Sequence, residues 1–185
     1  MEELSLHILD LVQNSIRAAA TRVEILIEEH IAEDLFLFEV KDNGQGMAGE
    51  LVREVLNPFT TTRTTRRVGL GLSLLDMAAR QCDGGVEIDS EPGKGTRVRA
   101  VFRYSHWDRA PLGDIKTTLV TIIAANPELE LVYVHRVDGR HFRLDTEEIR
   151  EVLGGDIPLN DMAVLAWLDD YLARGLAELY GGEEQ

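Results

Sequence analysis

Asp42-Asn43-Gly44-Gln45-Gly46-Met47 is the most informative stretch of this sequence, and it directly follows a strand-like run over residues 35–41. A carboxylate held at a strand end can accept a hydrogen bond from a ligand, and the two glycines allow positive φ and close backbone approach. The same residues are also common in ordinary turns, so this stretch alone leaves both interpretations open. Three further signals in a consistent order favour the ligand site: a helix with Asp10 and Asn14, then Gly69-Leu70-Gly71-Leu72-Ser73, then Gly93-Lys94-Gly95-Thr96.

The composition indicates a globular protein and argues against several other classes. Of the 185 residues, 44% are hydrophobic and 28% are charged, and the net charge of −14 argues against nucleic-acid binding. No apolar run approaches the roughly 18 residues needed to span a bilayer, and the N-terminus lacks the features of a secretory signal. Cys82 is the only cysteine, so no intrachain disulfide can form. We therefore expect a cytoplasmic protein that does not bind membranes.

A local basic island interrupts this acidic chain. No acidic residue occurs between Glu54 and Asp76, whereas Arg63, Arg66 and Arg67 all lie there. A basic segment in an acidic protein favours an anionic ligand. A solvated loop explains the same pattern, so charge alone does not decide between these two interpretations.

The spacing of apolar residues predicts alternating helices and strands. Helices are expected over residues 4–20, 48–56, 71–82, 114–125, 146–153 and 160–180. Strands are expected over residues 23–28, 35–41, 86–90, 97–104, 129–137 and 140–145. The threonine- and arginine-rich segment 57–68 lacks apolar periodicity, so we predict a flexible loop there.

A polar, proline-containing segment over residues 105–113 predicts a linker. It would separate a domain of residues 1–104 from a small α+β extension of residues 114–185. We expect this extension to be a packing or partner-binding module. Thr146 is the expected N-cap of a helix in this extension. Four aromatic residues of the C-terminal half are expected in its core or in an interface: Trp107, Trp167, Tyr171 and Tyr180.

Two histidines of the extension, His135 and His141, lie on opposite arms of a predicted hairpin. They could approach each other across the two strands. Two histidines without a third ligand are poor evidence for a metal site.

Asp10, Asn14 and Arg17 lie four and three residues apart and therefore share one stripe of the first predicted helix. The carboxylate can accept a proton from an attacking hydroxyl or water. The amide oxygen suits Mg²⁺, which prefers oxygen ligands and usually bridges phosphates, and the guanidinium can bind a phosphate bidentately. The alternative is the ordinary polar face of an amphipathic helix.

Glycine-rich segments could hold the phosphates and the base of a nucleotide. Gly69 and Gly71 open a predicted helix, where backbone N–H groups and the helix dipole favour phosphate oxygens; a simple hinge is the alternative. Asp42 could accept a hydrogen bond from the exocyclic amine of adenine, which guanine lacks at that position. Together with Gly46 and Thr96, Asp42 would form a polar surface against which the purine packs. The alternative is that the segments around Gly46 and Thr96 are ordinary turns.

The order of these motifs resembles one ATPase superfamily, whose members include gyrase, a family of heat-shock chaperones, histidine kinases and the mismatch-repair ATPase. The segment from Asp10 to Ala18 resembles its asparagine box, and the segment from Asp42 to Met47 resembles its first glycine box. Asn57-Pro58-Phe59 resembles the phenylalanine box of histidine kinases. Gly69 to Ser73 is similar to the second glycine box, and Ser90 to Thr96 is similar to the closing motif of the kinase catalytic domain.

This resemblance, which covers roughly residues 4–104, implies an α/β two-layer sandwich with a mixed, mostly antiparallel sheet and helices on one face. It implies ATP as the ligand, with Asn14 as the ligand of Mg²⁺, Asp42 as the residue that binds the adenine amine, and Asp10 as the catalytic base. Residues 57–68 would form a lid over the nucleotide. The further residues expected to contact ATP are Arg17, Gly44, Gly46, Met47, Phe59, Gly69, Leu70, Gly71, Leu72 and Thr96.

Three departures from the family pattern affect these expectations. Asp10 stands where the family usually has glutamate, so its side chain is one methylene shorter. Arg67 stands where the second glycine box usually opens with a further glycine. The asparagine box begins close to Met1, so we expect no dimerising helical pair with a phosphoacceptor histidine before it, and we expect His7 to be structural or solvent-facing.

We therefore expect a regulator that binds Mg-ATP and a partner protein. The first hypothesis is a stand-alone kinase, similar to histidine-kinase-like and anti-sigma-factor serine kinases, that transfers phosphate to its partner. The second is a nucleotide-gated binding module with little or no turnover, which the short Asp10 favours. The third is a slow ATPase that forms a homodimer with ATP, which the expected lack of a transducer domain disfavours.

Overall fold

The computed structural model describes residues 3–55 and 71–181. Within these ranges the helices are α1 (Leu4–Arg17), α2 (Gly49–Val55), α3 (Gly71–Gln81), α4 (Ile115–Ala125), α5 (Thr146–Leu153) and α6 (Met162–Leu179). The strands are β1 (Arg22–His30), β2 (Leu35–Asp42), β3 (Gly85–Glu91), β4 (Gly95–Arg103), β5 (Glu130–Val137) and β6 (Arg140–Asp145). None of these helices combines the length and the apolar character that a membrane crossing requires.

The six strands form one mixed sheet in the order β3-β4-β2-β1-β5-β6. Strands β1 and β5 run parallel, and the other neighbouring pairs run antiparallel. Strand β2, which leads into the first glycine motif (Asp42 to Met47), pairs with both β1 and β4 and therefore lies inside the sheet. Val23 on β1 lies opposite Asp42. The predicted mixed, mostly antiparallel α/β sandwich is confirmed.

One face of the sheet carries the hydrophobic core. Strand β1 alternates buried Val23, Ile25 and Ile27 with more exposed residues, as expected of a strand that is covered on one side. Helices α1, α3, α4 and α6 contribute to the same hydrophobic cluster. The buried apolar side chains of α1 form a single stripe: Leu4, Ile8, Leu11 and Val12. Another stripe of the helix is therefore left for polar groups.

Helix α1 ends three residues earlier than the apolar pattern predicts. Ala19 adopts a φ of 58°, in the left-handed region that a continuing α-helix does not use. The carbonyl oxygen of Ala18 accepts a 2.9 Å hydrogen bond from the backbone N–H of Gln45. The early end therefore connects α1 to the glycine motif that follows β2.

The predicted linker, residues 105–113, packs against the start of α1. The carbonyl groups of Pro111 and Leu112 accept hydrogen bonds of 2.9 and 2.8 Å from the N–H groups of Leu4 and Ser5. These contacts satisfy N–H groups that a helix N-terminus leaves without intrahelical partners.

The C-terminal strands extend the same sheet, because β5 pairs with β1. Residues of α4, β5 and α6 also belong to the hydrophobic cluster that contains α1. The division of the chain into folding units of residues 1–104 and 114–185 stays a prediction.

The predicted N-cap of α5 is wrong by one residue. Asp145 caps this helix, because its carboxylate accepts a 2.9 Å hydrogen bond from the N–H of Glu147. Thr146 is the first helical residue, and its hydroxyl bonds to the backbone of Leu129 and Leu131. Both side chains are suitable cap acceptors, so only the backbone geometry distinguishes them.

The possible approach of His135 and His141 across the hairpin does not occur. His135 is fully buried, whereas His141 is exposed and lies opposite Arg136 in the β5–β6 register. Neighbouring residues on a strand point to opposite faces, so the two imidazoles lie on opposite sides of the sheet. The core interpretation is wrong for Trp107 as well, because its side chain is 99% exposed.

Candidate functional site

Helix α1 carries the predicted polar stripe, and two of its three side chains are hydrogen-bonded to each other. Asp10 and Asn14 are half-buried, and Arg17 is exposed. The Nη1 atom of Arg17 donates a 2.9 Å hydrogen bond to Oδ1 of Asn14. An amide oxygen has about two acceptor positions, so this contact leaves one of them for a cation.

Three donors from different elements orient the carboxylate of Asp42. Its Oδ1 atom accepts hydrogen bonds from the N–H groups of Gly44, at 2.8 Å, and Thr96, at 3.2 Å. Its Oδ2 atom accepts a 2.7 Å hydrogen bond from the hydroxyl of Ser15 on α1. Because each carboxylate oxygen has about two acceptor positions, Oδ2 can still accept from a ligand amine. The contacts fix the direction of the carboxylate within the protein itself.

Gly46 and Gly95 let the first glycine motif pack closely against the β3–β4 turn. Gly46 has a φ of +65°, and a Cβ there would lie 1.9 Å from the carbonyl oxygen of Glu91. Gly95 has a φ of +94°, and a Cβ there would lie 1.9 Å from the carbonyl oxygen of Asp42. Side chains at these positions would collide with backbone, so packing of the two turns alone requires glycine.

Asn43 and Gly44 join the same motif to the turn between α1 and β1. The Oδ1 atom of Asn43 accepts 2.9 Å hydrogen bonds from the N–H groups of both Thr21 and Arg22. A Cβ on Gly44 would lie 2.8 Å from the carbonyl oxygen of Ala18. These two residues therefore hold the end of β2 against the end of α1.

Asp10 and Gly71 bring α1 and α3 into contact. A Cβ on Gly71 would lie 1.9 Å from the Oδ2 atom of Asp10, so the carboxylate occupies the space that any larger residue would need. Gly71 is the first residue of α3. The positive end of the α3 dipole favours negative charge at this place.

The other residues predicted to contact the nucleotide lie in different environments. Met47 is half-buried, and its N–H donates a 2.8 Å hydrogen bond to the Oγ atom of Ser90. Leu72 is 5% exposed and packs into the core beneath α3. Three predicted contact residues, together with the predicted lid over 57–68, lie outside the described residues: Phe59, Gly69 and Leu70.

Two serines belong to this site although the sequence reasoning gave neither of them a role there. Ser15 is buried on α1, and its hydroxyl donates to Asp42. Ser90 Oγ donates a 3.0 Å hydrogen bond to the carbonyl oxygen of Gly95 and lies 2.9 Å from Oγ1 of Thr96. The available signal was a hydroxyl within an apolar stripe, since a buried polar group needs a partner.

His7 lies on α1 close to Asp10 and is buried. Burial lowers the pKa of this imidazole below its usual value of 6.5, which keeps the ring neutral near pH 7. A buried, neutral imidazole agrees with the expected structural role of His7.

Residues 2–106 match the model of a protein family described as histidine kinase-, DNA gyrase B-, and HSP90-like ATPase. The chain belongs to this ATPase family. The matched range includes the asparagine motif, both glycine motifs and the closing turn. Membership of this ATPase family implies that the chain binds ATP.

Curated relatives of this ATPase domain include sensor kinases. The chain is 39% identical to the sensor kinase CckA of Brucella abortus over 67 residues, which cover 36% of this chain and 7% of that protein. It is 32% identical to the sensor histidine kinase YxdK of Bacillus subtilis over 96 residues, which cover 49% of this chain and 30% of that protein. The chain therefore spans less than a third of the length of these two kinases.

A solved structure shares the fold of this ATPase domain. The crystal structure of the N-terminal domain of a DNA repair protein superimposes with a TM-score of 0.53 at 17% sequence identity. The match covers 78% of this chain and 53% of that chain. At this identity the likeness concerns the fold alone.

The donor set of the ATPase domain fits Mg²⁺ that is held largely by phosphates. Asn14 offers one neutral oxygen, and Asp10 offers a carboxylate one helical turn away. Within residues 3–55 and 71–181, no group of three or more histidine, cysteine, aspartate or glutamate residues could hold a metal ion. Mg²⁺ usually takes one or two protein ligands together with substrate phosphates and water, so these residues suit the ion in the company of ATP.

Proposed function

We propose that this protein binds Mg-ATP between α1 and α3 and transfers the terminal phosphate to a partner protein. The contact between Asp10 and Gly71 carries the proposal, because it puts a candidate base against a helix N-terminus suited to phosphates. Family membership supports ATP as the ligand. The sensor kinases among the relatives support transfer to a protein.

In this proposal each site residue has a distinct task. Asp42 accepts a hydrogen bond from the adenine amine in the direction set by Ser15 and Thr96. Asn14 ligates Mg²⁺, which would neutralise developing charge on the phosphates. Arg17, already hydrogen-bonded to Asn14, lies where it can turn towards a phosphate oxygen.

The transfer step follows the usual course of phosphoryl transfer. A hydroxyl or an imidazole nitrogen of the partner attacks the terminal phosphorus of ATP, and the bond from that phosphorus to the bridging oxygen breaks. The electron pair of this bond leaves with ADP. When the acceptor is a hydroxyl, its proton passes to the carboxylate of Asp10.

One observation favours a second function, a module that binds its partner in an ATP-dependent manner without turnover. The base position holds Asp10 in place of the longer glutamate that the family usually has. A carboxylate one methylene shorter reaches less far towards an attacking group, so proton transfer would lose efficiency.

Titration calorimetry with ATP, ADP and GTP, with and without Mg²⁺, tests the binding step. We expect ATP and ADP to bind and GTP to bind at least about tenfold more weakly, because GTP lacks the amine that Asp42 would recognise. Asn14→Ala should remove the effect of Mg²⁺, and Asp42→Asn should weaken both adenosine nucleotides. Absence of heat with every adenosine nucleotide would contradict both proposed functions.

Labelled ATP and purified candidate partners test the transfer step. Asp10→Asn should bind ATP like the parent protein but transfer phosphate about 100-fold more slowly, the usual loss for a general base. Asp10→Glu restores the residue common in the family and should retain transfer. Tight ATP binding without transfer to any partner would instead support the nucleotide-gated module.

A further inference from the structure

An apolar pocket lies between α5, α6 and the end of β6; we call it the α5–α6 pocket. Its volume is about 570 Å³, within the range of about 300–1000 Å³ typical of binding sites. Strand β6 lies three places from β2 in the sheet, so about 14 Å separates the two strands at the usual strand spacing. Its apolar wall comprises Leu144, Ile149, Val152, Leu153, Ile157 and Val164.

Several side chains of this pocket are more exposed than their apolar character favours. Val152 is 89% exposed, and Ile157 and Trp167 are each 45% exposed. The indole of Trp167 stacks on the ring of Tyr171, with the ring centroids 5.0 Å apart and the planes at 14°. Exposed apolar side chains next to a pair of stacked aromatic rings are typical of protein interfaces.

The rim of the α5–α6 pocket is acidic. Glu148 and Asp161 both line it. Arg143 also lines it, but its guanidinium is engaged by two carboxylates of the rim at 2.6 Å each. Arg150 is the only basic residue of segment 144–173, and it donates to two backbone carbonyl groups. The same segment holds eight acidic residues: Asp145, Glu147, Glu148, Glu151, Asp156, Asp161, Asp169 and Asp170.

We propose that the α5–α6 pocket is a docking site for a basic amphipathic helix of a partner protein. The apolar wall between two helices suits apolar anchors that recur at i, i+3, i+4 and i+7 on a bound helix. The acidic rim attracts lysine and arginine residues on either side of those anchors and repels an acidic segment. Docking requires neither ATP nor Asp42, so this surface goes beyond the proposed phosphotransfer.

Synthetic peptides of 18 residues provide a direct probe, at about the length that forms a marginally stable helix in water. The first contains leucine at i, i+3, i+4 and i+7 positions and lysine elsewhere. The second has the same composition in scrambled order, and the third replaces every lysine with glutamate. Binding is followed by the anisotropy of a fluorescein label, and by the emission of Trp167 in a Trp107→Phe background. Trp107 is 99% exposed and therefore serves as a background site that can be changed safely.

We expect the first peptide to bind at least about tenfold more tightly than the scrambled one and to shift Trp167 emission to shorter wavelength. The glutamate peptide should not bind. Val152→Glu should weaken the first peptide at least about tenfold, because it puts a charge into the apolar wall. Glu148→Lys should weaken it several-fold, and the effect should shrink at high salt.

Ile31→Glu is the matched control, because Ile31 is 45% exposed and contacts the β5–β6 turn at the other end of these strands. It should bind the first peptide like the parent protein. Equal affinity for the ordered and scrambled peptides would overturn the proposal, as would absence of binding to all three peptides. Unchanged affinity in Val152→Glu would overturn it too. A small apolar dye that binds the pocket without competition from the peptide would show a small-molecule site instead.

Discussion

The hydroxyl of Ser15 donates a 2.7 Å hydrogen bond to the carboxylate of Asp42, which lies at the end of a strand in the middle of the sheet. The bond links α1 to the first glycine motif. It points one oxygen of Asp42 in a fixed direction, while the N–H groups of Gly44 and Thr96 hold the other. Ser15 is therefore a positioning residue for the proposed adenine contact.

Replacement of Ser15 by alanine should weaken ATP binding by about two- to tenfold, because one hydrogen bond contributes about 0.5–1.5 kcal/mol. Calorimetric titration measures this change. Ser5→Ala is the matched control: Ser5 is also buried on α1, but its hydroxyl bonds to Glu3, far from the glycine motif. Equal ATP affinity of Ser15→Ala and Ser5→Ala would rule out the positioning role.

Replacement of Gly71 by alanine should displace the carboxylate of Asp10, because the new Cβ would lie 1.9 Å from its Oδ2 atom. A carboxylate pushed towards the phosphates should weaken ATP binding several-fold, with little loss of stability because the side chain can rotate. In an Asp10→Ala background, Gly71→Ala should not change the affinity for ATP any further. A double-mutant cycle of these two substitutions measures this.

Gly49→Ala serves as the control for this cycle, since a Cβ at Gly49 would meet no atom within 4 Å. Additive effects of Gly71→Ala and Asp10→Ala would mean that the contact between these residues does not influence nucleotide binding.

A buried polar network should make the stability of the fold depend on pH. Glu29 accepts a 2.8 Å hydrogen bond from His135 and a further bond from Tyr180. Burial raises the pKa of Glu29, but these hydrogen bonds outweigh burial, so its pKa lies below the usual 4.5. A carboxyl with a lowered pKa in the folded state adds stability above its unfolded pKa, and this stability is lost as pH falls through the folded pKa.

Urea unfolding between pH 7 and pH 3 measures this contribution. Glu29→Gln should lower the free energy of unfolding at pH 7 by about 1–3 kcal/mol. Below about pH 4.5, the free energy of unfolding of this variant should decrease less steeply with falling pH than that of the parent protein. Glu24→Gln, at a carboxylate whose side chain is 42% exposed, should keep the slope of the parent protein. Identical slopes for Glu29→Gln and the parent protein would contradict the assignment.

Most of the fold could be predicted from local patterns. The strands before and after residue 42 and the helix that starts at Gly71 were predicted within one or two residues. Family membership followed from the motifs in their order, as the family match confirms. Local patterns failed after Arg17, where the left-handed conformation of Ala19 prevents α1 from continuing, and at Asp145, where two adjacent side chains could serve equally as the cap.

The sequence by itself determined the type and order of the elements and the motifs of the nucleotide site, because apolar periodicity and glycine turns act over a few residues. Only the tertiary structure decided that β5 pairs in parallel with β1, that Asp10 touches Gly71, and that Ser15 bonds to Asp42. Each of these contacts joins residues far apart in the chain. Its partner is chosen by how the whole core packs, which no local pattern of residues contains.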